Sequence, residues 1–373
     1  MPPVYYADYL KLDTLLSAQA PESARQGTPA HDEMLFIVVH QAYELWFRQI
    51  LHELDRIQAD FERNPLADEH LGRIVHGLDR INEILKLLIQ QLDVLETMTP
   101  LDFLDFRDLL MPASGFQSMQ FRAIETRLGL KREGRLLFDA RAFDDRLSAA
   151  DRARLADIEG RPKLVEQLDA WLRRTPFLLG DFAFGQAYRA AVEKMLKDDA
   201  ARVRESPVLT AEQRKAEAAA IDAALAKFNA IFAPTGGGSG DASPDASRDT
   251  PHDAPPWRMS LAAVQAALFI TVYRDQPVLQ LPFRLLTALM DIEEQLTLWR
   301  YRHALMVQRM IGVKIGTGGS SGHDYLRRTV EAHRVFADLF GLSTYLIPRS
   351  ALPPLPPDVQ ARMGFVYAKE SSE

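Results

Sequence analysis

The stretch HDEMLFIVVHQAYELWFRQILHEL, residues 31–54, decides the fold. Within it Phe36, His40, Tyr43, Phe47, Ile50 and Leu54 recur at alternating steps of four and three. That spacing puts side chains on one face of an α-helix, so the segment predicts a long helix with one buried stripe. His40 stands in the middle of the stripe. The same steps return in DIEEQLTLWRYRHALMVQRMIG, residues 291–312, through Ile292, Leu296, Trp299, His303, Met306 and Met310. His303 stands in the middle of this second stripe. Strand-like alternation is scarce elsewhere, and the chain reads as all-α. Helices are expected near 30–62, 68–98, 101–111, 115–129, 148–174, 181–203, 210–232, 258–273, 282–313 and 323–340. Pro100, Pro112, Pro176, Pro207 and Pro282 fall at their starts and stops.

Composition bounds what those helices can do. The chain has 373 residues, 47% hydrophobic and 25% charged, enough apolar material for a large core without staples. Lys and Arg number 44 against 51 Asp and Glu, a net charge of -7, which argues against a nucleic-acid binder. Cysteine is absent, which excludes disulfides, Cys zinc sites, iron–sulfur clusters, thiolate-ligated haem and a cysteine nucleophile. The opening MPPVYYADYLKLD lacks the basic-then-apolar pattern of a signal peptide. The apolar stretch 261–272 is about half the ~20 residues a bilayer span needs. A cytoplasmic location without membrane attachment is expected. Residues 234–256, PTGGGSGDASPDASRDTPHDAPP, carry no large apolar side chain and read as a flexible loop. The tail 350–373 is Pro-rich, then polar, and reads as extended.

Of nine histidines, seven sit beside charges or glycines and read as exposed; His40 and His303 do not. A buried imidazole needs partners for its nitrogens. Each of the two is either a satisfied core histidine or part of a site in which a flat apolar cofactor lies between the helices. Without cysteine, a haem there would take a neutral His, Met or Tyr. Arg107 lies among Phe103, Leu104, Phe106, Leu109 and Leu110, and so needs an anion. The anion is either Asp105, Asp108 or another helix's carboxylate, or a bound carboxylate held by the guanidinium fork. Ser114 is either a hydroxyl for the same site or the N-cap of a helix starting near Gly115. The string GTGGSSG, residues 316–322, lacks the Lys-Ser/Thr ending of a phosphate loop. It is a mobile loop, or a lid with Thr317 supplying a hydroxyl. His31-Asp32-Glu33 spells part of a non-haem iron triad, but equally places acids at a helix start.

Four stretches together resemble one known family. HDEMLFIVVHQAYELWF, LETMTPLDFLDFRDLLMPASGFQSMQFR, LLTALMDIEEQLTLWRYRH and GTGGSSG followed by LSTYLIPR resemble tryptophan 2,3-dioxygenase, in that order, from about Tyr6 to Pro348. Length and the segment WRMSLAAVQAALF resemble the longer forms more than the short bacterial ones. The resemblance implies a single all-α haem-dioxygenase domain over residues 1–373, with an N-terminal arm over 1–29. It implies a homotetramer with one haem b per subunit. It implies insertion of O2 across the indole C2–C3 bond of L-tryptophan, giving N-formyl-L-kynurenine, the first step of the kynurenine route. By position, His303 is then the proximal iron ligand, and His40 the distal histidine that accepts the indole N–H. Arg107 binds the substrate carboxylate, Phe36 packs on the indole, Thr317 holds the ammonium, and Ser114 lies near the haem edge. Tyr6, Tyr9 and Leu10 reach into the neighbouring subunit's pocket. Phe103 stands where some short bacterial members have a tyrosine whose hydroxyl assists carboxylate binding. The loop 234–256 is longer and more polar than the family leads one to expect. Alternatives are a related haem oxygenase of a modified tryptophan or tyrosine, and a helical scaffold without chemistry.

Overall fold

Stripes at four-and-three spacing need a surface to bury against, and among the described residues other helices supply it. In the computed structural model, residues 3–130, 148–178, 184–232, 257–312, 314 and 322–365 are described. Among them there is no strand. The His40 helix runs Glu33–Phe61 and the His303 helix Pro277–Ile311. Tyr43, Phe47, Ile50, Leu54, Ile292, Leu296, Met306 and Met310 are all buried, as the two stripes require. The other long helices are Asp68–Leu95, Met119–Leu128, Ala149–Glu159, Phe184–Glu205, Ala211–Ile231, Leu261–Val272 and Gly322–Ala332. No described helix is long and apolar enough to cross a membrane.

Caps mark the boundaries. Thr99 accepts the Asp102 N–H through its hydroxyl while the Asp102 carboxylate accepts the Thr99 N–H, a capping box that starts the helix Pro100–Arg107. Ser118 caps Met119–Leu128 by accepting the Phe121 N–H at 3.2 Å. Ser114 is therefore not the cap of that helix: a 3-10 turn, Gly115–Gln117, intervenes. The segment 148–174 is two helices, Ala149–Glu159 and Leu164–Leu172, because Pro162 has no N–H to carry a helix through. The His303 helix starts earlier than expected, at Pro277, with Pro282 inside it. Proline at 282 forgoes one helical hydrogen bond, and burial of Leu279, Leu285, Leu286 and Leu289 keeps the helix going. It stops at Gly312, whose φ of 58° is left-handed backbone that favours glycine.

The chain divides into two compact units. The first comprises Met1–Asp60, His76–Leu164 and Asp291–Val335, and the second Phe61–Val75, Val165–Met290 and Phe336–Glu373. The second unit is built on an aromatic cluster. Phe184 stacks on Tyr188 at 5.0 Å and meets Phe269 edge-on at 5.2 Å. The buried Tyr188 hydroxyl donates to the Tyr345 carbonyl at 2.6 Å. Gly185 permits this packing, since a Cβ there would sit 2.9 Å from the Phe232 ring. The tail departs from the extended reading. Pro357–Ala361 is helical, Val359 and Met363 are buried, and the Met363 carbonyl accepts the Val278 N–H at 3.1 Å. Its prolines forbid long helix but not burial of the apolar side chains between them. Residues 366–373 and the loop 234–256 lie outside the described residues.

The first unit carries the arm and the site. The arm forms short helical turns at Tyr6–Leu10, Leu12–Leu16 and Glu22–Arg25. The Glu33 carboxylate accepts the backbone N–H groups of Glu22 and Ser23 at 2.7 and 2.9 Å. It is thus occupied in fixing the arm, and His31 is exposed. The iron-triad reading of His31-Asp32-Glu33 fails on that ground.

Candidate active site

His40 and His303 face one cavity of about 290 Å³ within the first unit. Its walls are largely apolar, with Leu92, Leu95, Met306, Val307 and Met310 among them. One end is aromatic. The Phe36 ring lies 4.1 Å from the His40 ring, stacks on Phe103 at 5.7 Å and meets Phe106 edge-on at 5.6 Å. Phe103, lacking a hydroxyl, contributes a wall and no hydrogen bond.

The geometry sets the state of each imidazole. His40 Nδ1 lies 2.7 Å from the Phe36 carbonyl oxygen. A carbonyl only accepts, so Nδ1 carries the proton and Nε2 of the neutral ring is an acceptor. Burial lowers the His40 pKa from 6.5, against the opposing pull of the Phe36 bond and of Glu44. Gln120 holds that Glu44 carboxylate with a 2.8 Å hydrogen bond. Burial pushes His303 down to about 4, and the His40 ring adds to the effect. His303 is therefore neutral at ordinary pH with a lone pair to give. Its Nδ1 is buried and has no hydrogen-bond partner among the described residues. The Trp299 indole stacks on the ring at 5.2 Å and 19°.

Arg107 lines the cavity with 13% of its side chain exposed. Its ion pair with Asp108 is loose, 3.8 Å, and Asp108 is 83% exposed. Ser114 also lines the cavity, and its N–H donates to the Gln117 side-chain oxygen at 3.3 Å. Thr317 lies outside the described residues. Tyr6, Tyr9 and Leu10 do not line this cavity; they are 75, 74 and 40% exposed on the arm.

The cavity has a polar end that sequence reasoning missed. The Glu125 carboxylate, 1% exposed, accepts from Arg122 at 2.7 Å and from Arg300 at 3.0 Å. His333 Nδ1 is 3.5 Å from the same carboxylate. Arg334 beside it in sequence suggests exposure, yet His333 is 1% exposed. Glu125 stays ionised despite its burial, because Arg122, His333 and Arg300 outweigh the desolvation and hold its carboxyl well below the usual range. One signal was available: Glu293 and Arg300 lie seven apart beside the Ile292–Trp299 stripe, and both are buried.

Fold and cavity define a class: an all-helical protein with a deep, aromatic-walled cavity that two neutral imidazoles face. A sequence model of tryptophan 2,3-dioxygenase matches residues 2–346. A protein of that name from Bdellovibrio bacteriovorus is 49% identical over 98% of this chain and 99% of its own length. One from Alteromonas mediterranea is 48% identical over 97% of this chain and 98% of its own. One from Dictyostelium discoideum is 42% identical over 98% of this chain and 89% of its own. The chain belongs to the tryptophan 2,3-dioxygenase family. The family is haem-dependent in general.

Proposed function

We propose that this chain inserts O2 across the indole C2–C3 bond of L-tryptophan to give N-formyl-L-kynurenine, opening the kynurenine route of tryptophan breakdown. The relatives' shared name favours L-tryptophan over a modified tryptophan or tyrosine. The observation that carries the chemistry is the pair of histidines, His40 and His303, facing one largely apolar cavity. These residues suit a haem b, one per subunit, with His303 as its protein ligand. A neutral buried imidazole is a sufficient protein contribution to haem iron. Among the described residues, no group of three His, Asp or Glu side chains stands ready for a bare ion. When bound, the haem supplies the activation of O2.

The chain's own residues bind and orient. His40 presents Nε2 as an acceptor, and the partner of matching chemistry is the indole N–H. The Arg107 fork, which lines the cavity, takes the substrate carboxylate. Phe36, backed by Phe103 and Phe106, packs on the indole. Thr317 holds the ammonium and Ser114 lies at the edge of the macrocycle, both carried over from the resemblance. Apolar walls exclude water from the reacting groups. Because the indole N–H is very weakly acidic and burial makes the His40 ring a weaker base than free imidazole, His40 orients the substrate rather than drawing off its proton.

Assembly completes the site. Met34, Val38 and Leu45 form one exposed apolar stripe, and Leu298, Tyr301 and Leu305 another. Such stripes suit subunit contacts in a homotetramer. The exposed Tyr6, Tyr9 and Leu10 are free to enter a neighbouring subunit's site. We place the enzyme in the cytoplasm as a single haem-dioxygenase domain that binds neither nucleic acid nor membrane.

The test is haem-supplied expression followed by L-tryptophan and O2, with product identified by chromatography and mass. The parent chain is expected to show a Soret band and form N-formyl-L-kynurenine. His303→Ala is expected to lose haem, turnover or both. Full turnover by haem-loaded His303→Ala would overturn the ligand assignment.

A further inference from the structure

Histidines that bind metals are usually oriented by a hydrogen bond from the other ring nitrogen to a carboxylate, carbonyl or water. Among the described residues His303 Nδ1 is buried and pairs with no protein group. The Trp299 indole stacks on the ring at 5.2 Å, nearly parallel at 19°. Trp299 is itself held. Its Nε1–H donates to the Tyr43 hydroxyl at 3.4 Å, and its ring packs on Phe121 at 5.0 Å. The Tyr43 hydroxyl in turn donates to the Leu88 carbonyl at 2.6 Å. A relay thus runs from the backbone of the helix Asp68–Leu95, through a side chain of the His40 helix, to the indole beside His303.

We propose that Trp299, anchored by Tyr43, is the positioning element that sets the plane of the His303 imidazole through the stacked face of its indole. The proposal rests on the reading of His303 as the iron ligand. Its physical content is a linkage. Turning the imidazole about its side-chain bonds displaces the indole, and displacing the indole breaks the hydrogen bond to Tyr43. Tyr43 is 8% exposed and its hydroxyl accepts a donor while also donating, so it cannot follow the indole without losing the Leu88 bond. Both residues also line the cavity, so their action through the imidazole is read from the iron–histidine band and not from substrate affinity.

The experiment uses the full haem-loaded chain and three variants, Tyr43→Phe, Trp299→Phe and Trp299→Leu. The readouts are haem content, the iron–histidine stretching band of the ferrous protein by resonance Raman, and the rate of haem transfer to apomyoglobin. Trp299→Leu is expected to shift and broaden the band, and to speed haem transfer by up to about tenfold, the rate equivalent of one aromatic pair. Trp299→Phe keeps a ring and is expected to restore part of the loss. Tyr43→Phe removes one oxygen and is expected to move the band in the same direction by less, with haem content unchanged. Should Trp299→Leu not fold, the near-isosteric Tyr43→Phe decides. A band and transfer rate unchanged in every folded variant would overturn the proposal. A haem-loaded parent lacking the band, or a His303→Ala protein retaining it, would instead remove the ligand assignment and the proposal with it.

Discussion

Replacing Arg107 by leucine separates recognition of the carboxylate from everything else the cavity does. Arg107 lines the cavity with 13% of its side chain exposed, so a carboxylate paired with it there is largely desolvated. Removing one partner of a buried, hydrogen-bonded charge pair costs about 2–5 kcal/mol. The residual exposure of Arg107 argues for the lower part, about 2–4 kcal/mol. At 1.36 kcal/mol per decade, that is a fall of about 30- to 900-fold in kcat/KM for L-tryptophan. The pair exists in the ground state and the transition state alike, so the loss should enter mainly through KM. Tryptamine has no carboxylate, and its KM, or its Ki as a competing ligand, should change little. Arg107→Lys keeps the charge but not the fork, and should fall between. The assay is initial rates of product formation at saturating O2 with both ligands across the three proteins. If L-tryptophan and tryptamine weaken by the same factor, Arg107 shapes the cavity and does not bind the carboxylate.

Two further outcomes follow from the buried titratable groups. His40→Ala should lower kcat/KM only about 3- to 10-fold, the worth of one positioning hydrogen bond, and not the hundredfold or more of a lost general base. The acceptor role requires neutral His40, whose pKa is below 6.5. Parent activity should hold as pH falls through 6.5 and drop only below that lowered pKa. His40→Ala should lack that drop, and a parent profile falling at or above 6.5 would contradict the assignment. Glu125→Gln leaves Arg122 and Arg300 buried without their counter-charge, and should destabilise the chain by about 3–5 kcal/mol in a denaturant titration. Because the folded Glu125 carboxyl is held well below its unfolded value, its contribution is complete above the unfolded glutamate pKa. It is lost as pH falls through the folded value. The gap between parent and variant should therefore be flat at neutral pH and close only in acid, and a gap that closes towards alkaline pH would refute it.

Helix, stripe and cap are local properties, which is why they were legible. Side-chain directions along a helix follow from backbone geometry alone, so steps of four and three identified the faces of His40 and His303 before any packing was known. The misplacements have local causes too. Pro282 reads as a helix start because propensity forbids it further in, yet packing of Leu279, Leu285 and Leu286 outweighs one missing hydrogen bond. The prolines of the tail read as extended chain because nothing nearby reveals that Val359 and Met363 have a core to enter.

Which residues meet across the cavity is a different kind of fact. Glu125, Arg300 and His333 lie on three separate segments, and charges flanking His333 in sequence gave no hint of its burial. The His40 tautomer depends on one carbonyl at 2.7 Å, and the neutrality of His303 on desolvation inside the cavity wall. The chain of residues by itself determined the helices, the two apolar faces with an imidazole on each, and the exclusion of cysteine chemistry. Only the tertiary structure decided that both imidazoles open onto one cavity, that a charged network lines its other end, and that the indole stacked on His303 is tied to the Tyr43 hydroxyl. Helical periodicity is set within a few residues, whereas desolvation and pairing of charges depend on segments brought together from far along the chain.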